Sequence, residues 1–386
     1  MKVVKVEVVR LRFPYRKSQS RPWRESWGER WEVASPMALY PPYKPRRSLW
    51  GPRFDIVGVK ITAENGVWGL GWTGGGRPVA TLIEDHLARF VVGQEVFATE
   101  KVWDILVRAT TPIGSSGLSA FAISALDLAL WDVKGKVLGL PVFRLIGGPQ
   151  KEKIFCYATG NDTDWHLELG FQATKLACPY GPVDGMRGLE ENEKLVAQTR
   201  ELVGDSREVM LDCWMALDVD YAVTLAERLR PYRLRWMEEC LLPDDWDSHR
   251  ALRERIPWQT LATGEHWYLL YPFDFACRYR VVDILQPDIQ WCGGLTACLK
   301  IADLARGAGL TVILHGGGNT PYGQHFTFAR PESPWCEFFI GSAPGIPLEE
   351  INPFPEMALP KDGWLVPNDA PGFGVEIKEE WMEPFH

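Results

Sequence analysis

The chain has 386 residues, 46% of them hydrophobic and 24% charged, which is the balance of an ordinary soluble globular protein with room for one large domain and a smaller one. A formal net charge of −8 argues against a general nucleic-acid binder, and it requires that any anionic substrate be met by a metal ion or by a few placed basic groups. No apolar run is long enough for a membrane span, the N-terminus lacks a signal peptide's continuous apolar core, and the eight cysteines form no CxxC pair; the expectation is a cytoplasmic protein with reduced thiols and neither a disulfide frame nor a zinc site.

Residues 2–12 alternate charge with valine in the manner of a strand, and 54–72 reads as a hairpin whose two runs meet at Asn65-Gly66. Together they predict a small antiparallel sheet. The intervening 13–53 is rich in Pro, Arg and Trp without any period, and its aromatic content points to a lid. Helical patterning covers 79–140. From 119 onward apolar residues fall on more than one face, so this helix is expected to be well buried, ending at Gly139 and Pro141.

After about 150 the texture changes. Eight short β-like runs follow one another: IFCYAT (154–159), ATKLA (173–177), EVMLDCW (208–214), LRWMEEC (234–240), QTLATGEH (259–266), VVDILQPD (281–288), LTVILHG (310–316) and WCEFFIG (335–341). Stretches of helical period lie between most of them, an α/β pattern that fits a (β/α)-barrel. The Pro-rich tail from 350 is expected to fold back on the N-terminal part.

Barrel enzymes carry their chemistry at the C-terminal ends of the strands. Here polar residues stand at that position strand after strand: Lys175, Asp212, Glu238-Glu239, Glu265-His266, Asp288, His315 and Glu337. Asp212, Glu238 and Glu265 are spaced by 26 and 27 residues on consecutive predicted strands, which makes them neighbours at one rim. Three like charges so close repel unless a cation sits among them, and an all-oxygen set favours Mg²⁺ over zinc. Any one of them alone would be better read as a helix cap or a surface ion pair. Asp288 and His315, again on consecutive strands, fit a carboxylate that orients an imidazole as a general base, although a lone histidine after a strand is ordinarily a satisfied core residue. The run HGGG at 315–318 also invites an esterase oxyanion loop, but no G-x-S-x-G elbow accompanies it. A phosphate cradle at this loop has precedent in barrels and leaves the acidic triad unexplained.

These residues, with ALDLALWDVKGKVLGLPVFRLIGG (125–148) and PGFGVEI (371–377), resemble the enolase superfamily, specifically its mandelate-racemase-like acid-sugar dehydratases. LDCWMALDVDYA, WMEECL, TGEH and LQPDIQWCGGLT are most similar to the L-rhamnonate dehydratase group. The resemblance covers nearly the whole chain. It implies a (β/α)7β-type modified TIM barrel over 126–349, capped by an α+β domain from 1–125 and a C-terminal tail, 350–386. It also implies Mg²⁺ on Asp212, Glu238 and Glu265, with His315 as the base, Asp288 as its orienter and Glu337, if protonated, as a hydrogen-bond donor to the enediolate. The reaction implied is dehydration of an aldonic acid to a 2-keto-3-deoxy acid.

Where many relatives carry Lys-x-Lys, this chain has Lys175 and then Ala177, which disfavours a two-base racemase and suggests that His315 both removes the α-proton and protonates the leaving hydroxyl on the same face. Lys175 is expected near the substrate carboxylate, with a barrel ion pair as the plainer reading. Arg30, Arg47 and Trp31 in the lid are candidates to contact the sugar acid, since arginine presents a fork of donors to a carboxylate. A histidine in the related group stands near Arg30, and the three glycines at 316–318 are a further departure, so L-lyxonate, L-mannonate or several aldonates remain open as substrates. A non-catalytic sugar-acid binder on the same fold is the alternative of a different class. The partner implied is a small sugar acid, without nucleic acid or membrane, and a homo-oligomer is expected because relatives commonly assemble.

Overall fold

The computed structural model describes residues 1–14, 18–29, 33–352, 354 and 356–385. Two sheets organise it. The first is antiparallel, in the order β13 (Met382–Pro384), β1 (Val3–Leu11), β2 (Ile56–Ala63), β3 (Trp68–Thr73). Its hairpin closes where expected: Gly66 has φ 85°, Ala63 and Val67 are paired through the backbone, and the Asn65 side chain accepts the Val67 N–H.

The helix Leu118–Leu138 lies across this sheet, with every residue from 122 to 133 buried. Its approach depends on two glycines in the WGLGW run of β3. A Cβ on Gly69 would stand 2.2 Å from the Val133 nitrogen, and one on Gly71 2.1 Å from the Ala125 carbonyl oxygen. The helix crosses the expected 125/126 boundary without a break, so that boundary falls inside one packed element. Buried Asp132 then fastens the tail to it. One carboxylate oxygen accepts the Leu70 N–H of β3 at 2.9 Å, and the other accepts the Phe373 N–H at 3.0 Å.

The second sheet holds eight parallel strands in chain order: β4 (Ile154–Thr159), β5 (Ala173–Ala177), β6 (Glu208–Asp212), β7 (Met237–Glu238), β8 (Leu261–Thr263), β9 (Ile284–Leu285), β10 (Thr311–Val312) and β11 (Trp335–Phe339). Strand β11 returns to pair with β4 in parallel, and the Val312 N–H of β10 reaches the Glu332 carbonyl just before β11, so the sheet curls round on itself. A short β12 (Trp364–Leu365) adds antiparallel to the outside of β4. Tyr157, Met210, Trp236, Ala262, Ile284 and Ile313, each from a different strand, fill the barrel interior as one apolar layer. This is the mixed α/β architecture expected, with the eight strands on the eight predicted runs. No helix among the described residues is long and apolar enough to cross a membrane.

Two buried histidines outside the barrel mouth make stability depend on pH. Burial holds His166 at about 4 and His325 at about 3, and the His325 Nδ1 accepts the Phe143 N–H, which requires that nitrogen to be unprotonated. The unfolded chain protonates these rings near the ordinary 6.5 while the folded chain does not. Their contribution is therefore intact above pH 6.5 and is lost as pH falls towards 4. Urea denaturation should show a loss of about 2 kcal/mol per ring between pH 6.5 and pH 5. Because raised carboxylates such as Asp212 and Glu238 act with the opposite sign, the loss is read as the difference between wild type and His325→Gln; the same pH dependence in both refutes this account.

Candidate active site and metal centre

Parallel register brings the strand ends together. Ala177 pairs with Asp212 and Asp212 with Glu238, so the last residues of β5, β6 and β7 share one level, and Glu265 follows two residues beyond β8. Asp212, Glu238 and Glu265 each offer an oxygen, and the three lie within 4.8 Å of one another. Burial raises Asp212 to about 6 and Glu238 to about 7, with Lys175 pulling in the opposite direction. Buried carboxylates held at this separation are stabilised by a cation, and their hard oxygen donors fit a divalent ion such as magnesium. Glu238 is also fixed from behind: its Oε2 accepts Trp236 Nε1 at 2.9 Å and Gln286 Nε2 at 2.7 Å.

His315 and Asp288 line the same cavity, of about 360 Å³, as Asp212 and Glu265. Asp288 Oδ2 is 2.8 Å from His315 Nδ1, and its Oδ1 accepts the Gln290 N–H at 2.7 Å. With Nδ1 donating to Asp288, Nε2 is the nitrogen that faces the site, 3.4 Å from Glu265 Oε1. Burial disfavours the charged ring, but Glu265, the hydrogen bond to Asp288 and Glu337 outweigh it and lift His315 to about 10. The glycines after it serve close packing: Gly316 has φ 56° and donates its N–H to Glu337 Oε2 at 2.9 Å, and a Cβ on Gly318 would meet the Glu337 carbonyl oxygen at 2.6 Å. Asn319 then clamps the loop to β11, exchanging hydrogen bonds with the Phe339 backbone N–H and carbonyl.

The structure places Glu337 and Lys175 side by side. Glu337 was expected to donate to the enediolate if protonated; it accepts from Lys175 at 2.8 Å, Thr159 Oγ1 at 2.6 Å and the Gly316 N–H. Burial would raise it, but Lys175 and His315 hold it down at about 2, so it is a carboxylate. Lys175 was expected near the substrate carboxylate or, on the plainer reading, in a barrel ion pair. Its ammonium is wholly buried among Glu238, Glu337 and Asp212 and does not line the cavity, the ion-pair arrangement. Ala177 does line the cavity.

Of the lid candidates, Arg47 reaches the cavity, with its guanidinium carbon 3.6 Å from the centre of the Trp214 ring. Arg30 and Trp31 lie outside the described residues. Sequence reasoning missed a second pair. Glu239 Oε1 is 2.7 Å from His266 Nδ1, and although burial opposes it, Glu239 and Glu265 raise His266 to about 9. The Glu-Glu and Glu-His dipeptides at adjacent strand ends were its signal. It also missed Thr159, the last residue of β4, and Trp27 and Trp291 in the cavity wall, the two tryptophans being placed by loop paths.

With the geometry established, likeness to known proteins can be stated. Residues 52–147 match the mandelate racemase/muconate lactonizing enzyme N-terminal domain family, and 163–381 match the enolase C-terminal domain-like family. The chain is 41% identical over 356 residues to an L-rhamnonate dehydratase of Saccharopolyspora erythraea, covering 90% of each chain. A solved rhamnonate dehydratase from Gibberella zeae, complexed with Mg, superposes with a TM-score of 0.90 at 32% identity, over 100% of this chain and 96% of that one. A racemase from Streptomyces coelicolor with bound magnesium gives a TM-score of 0.79 at 27% identity, over 98% of both.

Magnesium added to metal-free protein should raise the melting temperature, by linkage about 2.7 kcal/mol at a hundred times Kd. Asp212→Asn should abolish the shift and the calorimetric binding signal. Unchanged magnesium affinity in that variant removes Asp212 from the metal set.

Proposed function

The chain belongs to the enolase superfamily, in its mandelate racemase/muconate lactonizing enzyme branch, and from that premise we propose that it is a magnesium-dependent dehydratase converting L-rhamnonate, or a closely related aldonate, to the 2-keto-3-deoxy acid. The observation that carries this reading is that Asp212 and Glu265, two of the three clustered carboxylates, line the same cavity as the Asp288–His315 pair. A magnesium ion held by Asp212, Glu238 and Glu265 would bind the substrate carboxylate, stabilise the enediolate and offset the carboxylate field around His315.

The chain's own groups do the rest. His315 Nε2 takes the α-proton, with Asp288 holding the ring's tautomer and orientation through Nδ1. The same imidazolium then gives its proton to the departing 3-hydroxyl, which leaves as water, and the resulting enol ketonises to the 2-keto product. Ala177, where two-base relatives carry a lysine, supports removal and departure on one face. Lys175 holds Glu238 and Glu337 in place and favours the ionised form of each. Arg47 supplies a cation on the lid side for the acid's polar groups; burial lowers its pKa, so the charge is partly desolvated and strengthened towards an anion. Glu337, as a carboxylate beside the glycine loop, holds the Gly316 N–H next to His315 and accepts a hydrogen bond from a hydroxyl of the sugar acid.

Purified protein with Mg²⁺ should release 2-keto-3-deoxy acid from L-rhamnonate, and His315→Asn should lower kcat by about 10²–10⁴-fold without weakening magnesium binding. Stronger turnover of L-mannonate or L-lyxonate would reassign the substrate within the same reaction. Tight binding of the acid without any turnover favours a sugar-acid binder. Loss of hydrogen and hydroxyl from opposite faces would sink the single-base scheme.

A further inference from the structure

Asp162 stands three residues beyond β4, at the position just before the six-residue helix Thr163–Glu168. An aspartate there ordinarily turns its carboxylate onto the first N–H groups of its own helix. Asp162 does not: its side chain makes no capping hydrogen bond, although it is buried to 3% exposure. Both oxygens point instead to the segment that leads into the lid. Oδ1 accepts Arg24 Nη1 at 2.6 Å, Oδ2 accepts Ser26 Oγ at 2.8 Å, and the two share the Trp27 N–H at 3.2 and 3.1 Å. Arg24 also grips Asp164, at 2.5 Å and 3.3 Å. A buried carboxylate that leaves its own helix uncapped in order to hold another segment marks a contact required beyond local stability.

What it holds is part of the cavity wall. Trp27 lines the cavity, and its indole lies so close over Gly160 that a Cβ there would stand 2.6 Å from Nε1. Trp27 belongs to the segment 18–29. Its regular structure is the single turn Trp27–Glu29, and its far end is anchored by another carboxylate, Glu350, which accepts from the Gln19 and Ser20 N–H groups and from both serine hydroxyls. Between these anchors the Trp23 N–H meets the Pro344 carbonyl.

We propose that Asp162 is a positioning residue for substrate binding, which keeps Trp27 against the cavity by fastening segment 18–29 to the end of β4. The substrate named in the test rests on the reading above; the placement of Trp27 does not. Compare full-length wild type, Asp162→Asn and Arg24→Gln, all with Mg²⁺. Arg24 is partly exposed, so its variant folds even if the buried substitution does not.

Hydrogen exchange followed by mass spectrometry should show the Trp27 amide exchanging about tenfold faster in both variants. With L-rhamnonate, KM should rise about tenfold while kcat stays within about twofold, the pattern of lost binding rather than lost chemistry. Exchange at Trp27 equal to wild type, or a fall in kcat with KM preserved, overturns the proposal. If wild type dehydrates no aldonate, the functional reading fails, and the exchange comparison alone decides the role of Asp162.

Discussion

Six carboxylates converge on one end of the barrel: Asp212, Glu238, Glu239, Glu265, Asp288 and Glu337, all but Asp212 almost entirely buried. Like charges at such separations in a medium of low dielectric are not stable by themselves, and the arrangement of neighbouring groups answers that constraint. Lys175 lies among three of them, His266 faces Glu239, and His315 faces Asp288 and Glu265. The field that costs stability also raises both imidazoles and creates the place for a divalent cation. The same requirement decides the fate of Glu337, which is kept ionised because Lys175 needs a partner as much as Glu337 does.

The Asp288–His315 pair is held from outside the barrel as well. Gln290, whose N–H fixes Asp288, is itself tied to the first sheet: its carbonyl accepts Thr73 Oγ1 at 2.7 Å, and its side chain donates to the Trp72 carbonyl at 2.9 Å. Beyond it the Gly293 N–H meets Ser124 Oγ, and buried Asp127 takes both the N–H and the hydroxyl of Thr296 at the start of helix Gly294–Ala308. The long buried helix and its sheet therefore brace the loop that carries Asp288 and orients the His315 ring. The two glycines of β3 that admit this helix have a consequence some distance away, in the geometry of the imidazole.

Much of the site was legible because strand ends in a parallel barrel map sequence spacing directly onto spatial neighbourhood. Asp212, Glu238 and Glu265 fall on successive strands, so regular spacing alone placed them at one rim, and the same reasoning paired Asp288 with His315. Lys175 was visible as a residue, with an ion pair as one of its two readings, but not with the carboxylates it meets. Whether its ammonium reaches outward to a substrate or remains among carboxylates depends on which neighbours fill the space beside it. Asp162 gave no signal, since an aspartate before a short helix reads as a cap. Arg47 was found through its composition-rich segment, whereas Trp27 was passed over within the same stretch, which has no period to say which ring turns inward.

The sequence by itself determined the order of strands, the rim on which the polar residues stand, and the hard-oxygen character of the Asp212, Glu238 and Glu265 cluster, because these follow from alternation, spacing and the chemistry of carboxylates. Tertiary structure alone decided which charges neutralise one another, whether Glu337 carries a proton, and how segment 18–29 meets the end of β4. Those outcomes depend on distances of a few ångströms between residues far apart in the chain, in a buried space where burial and Coulomb terms are both large and oppose each other.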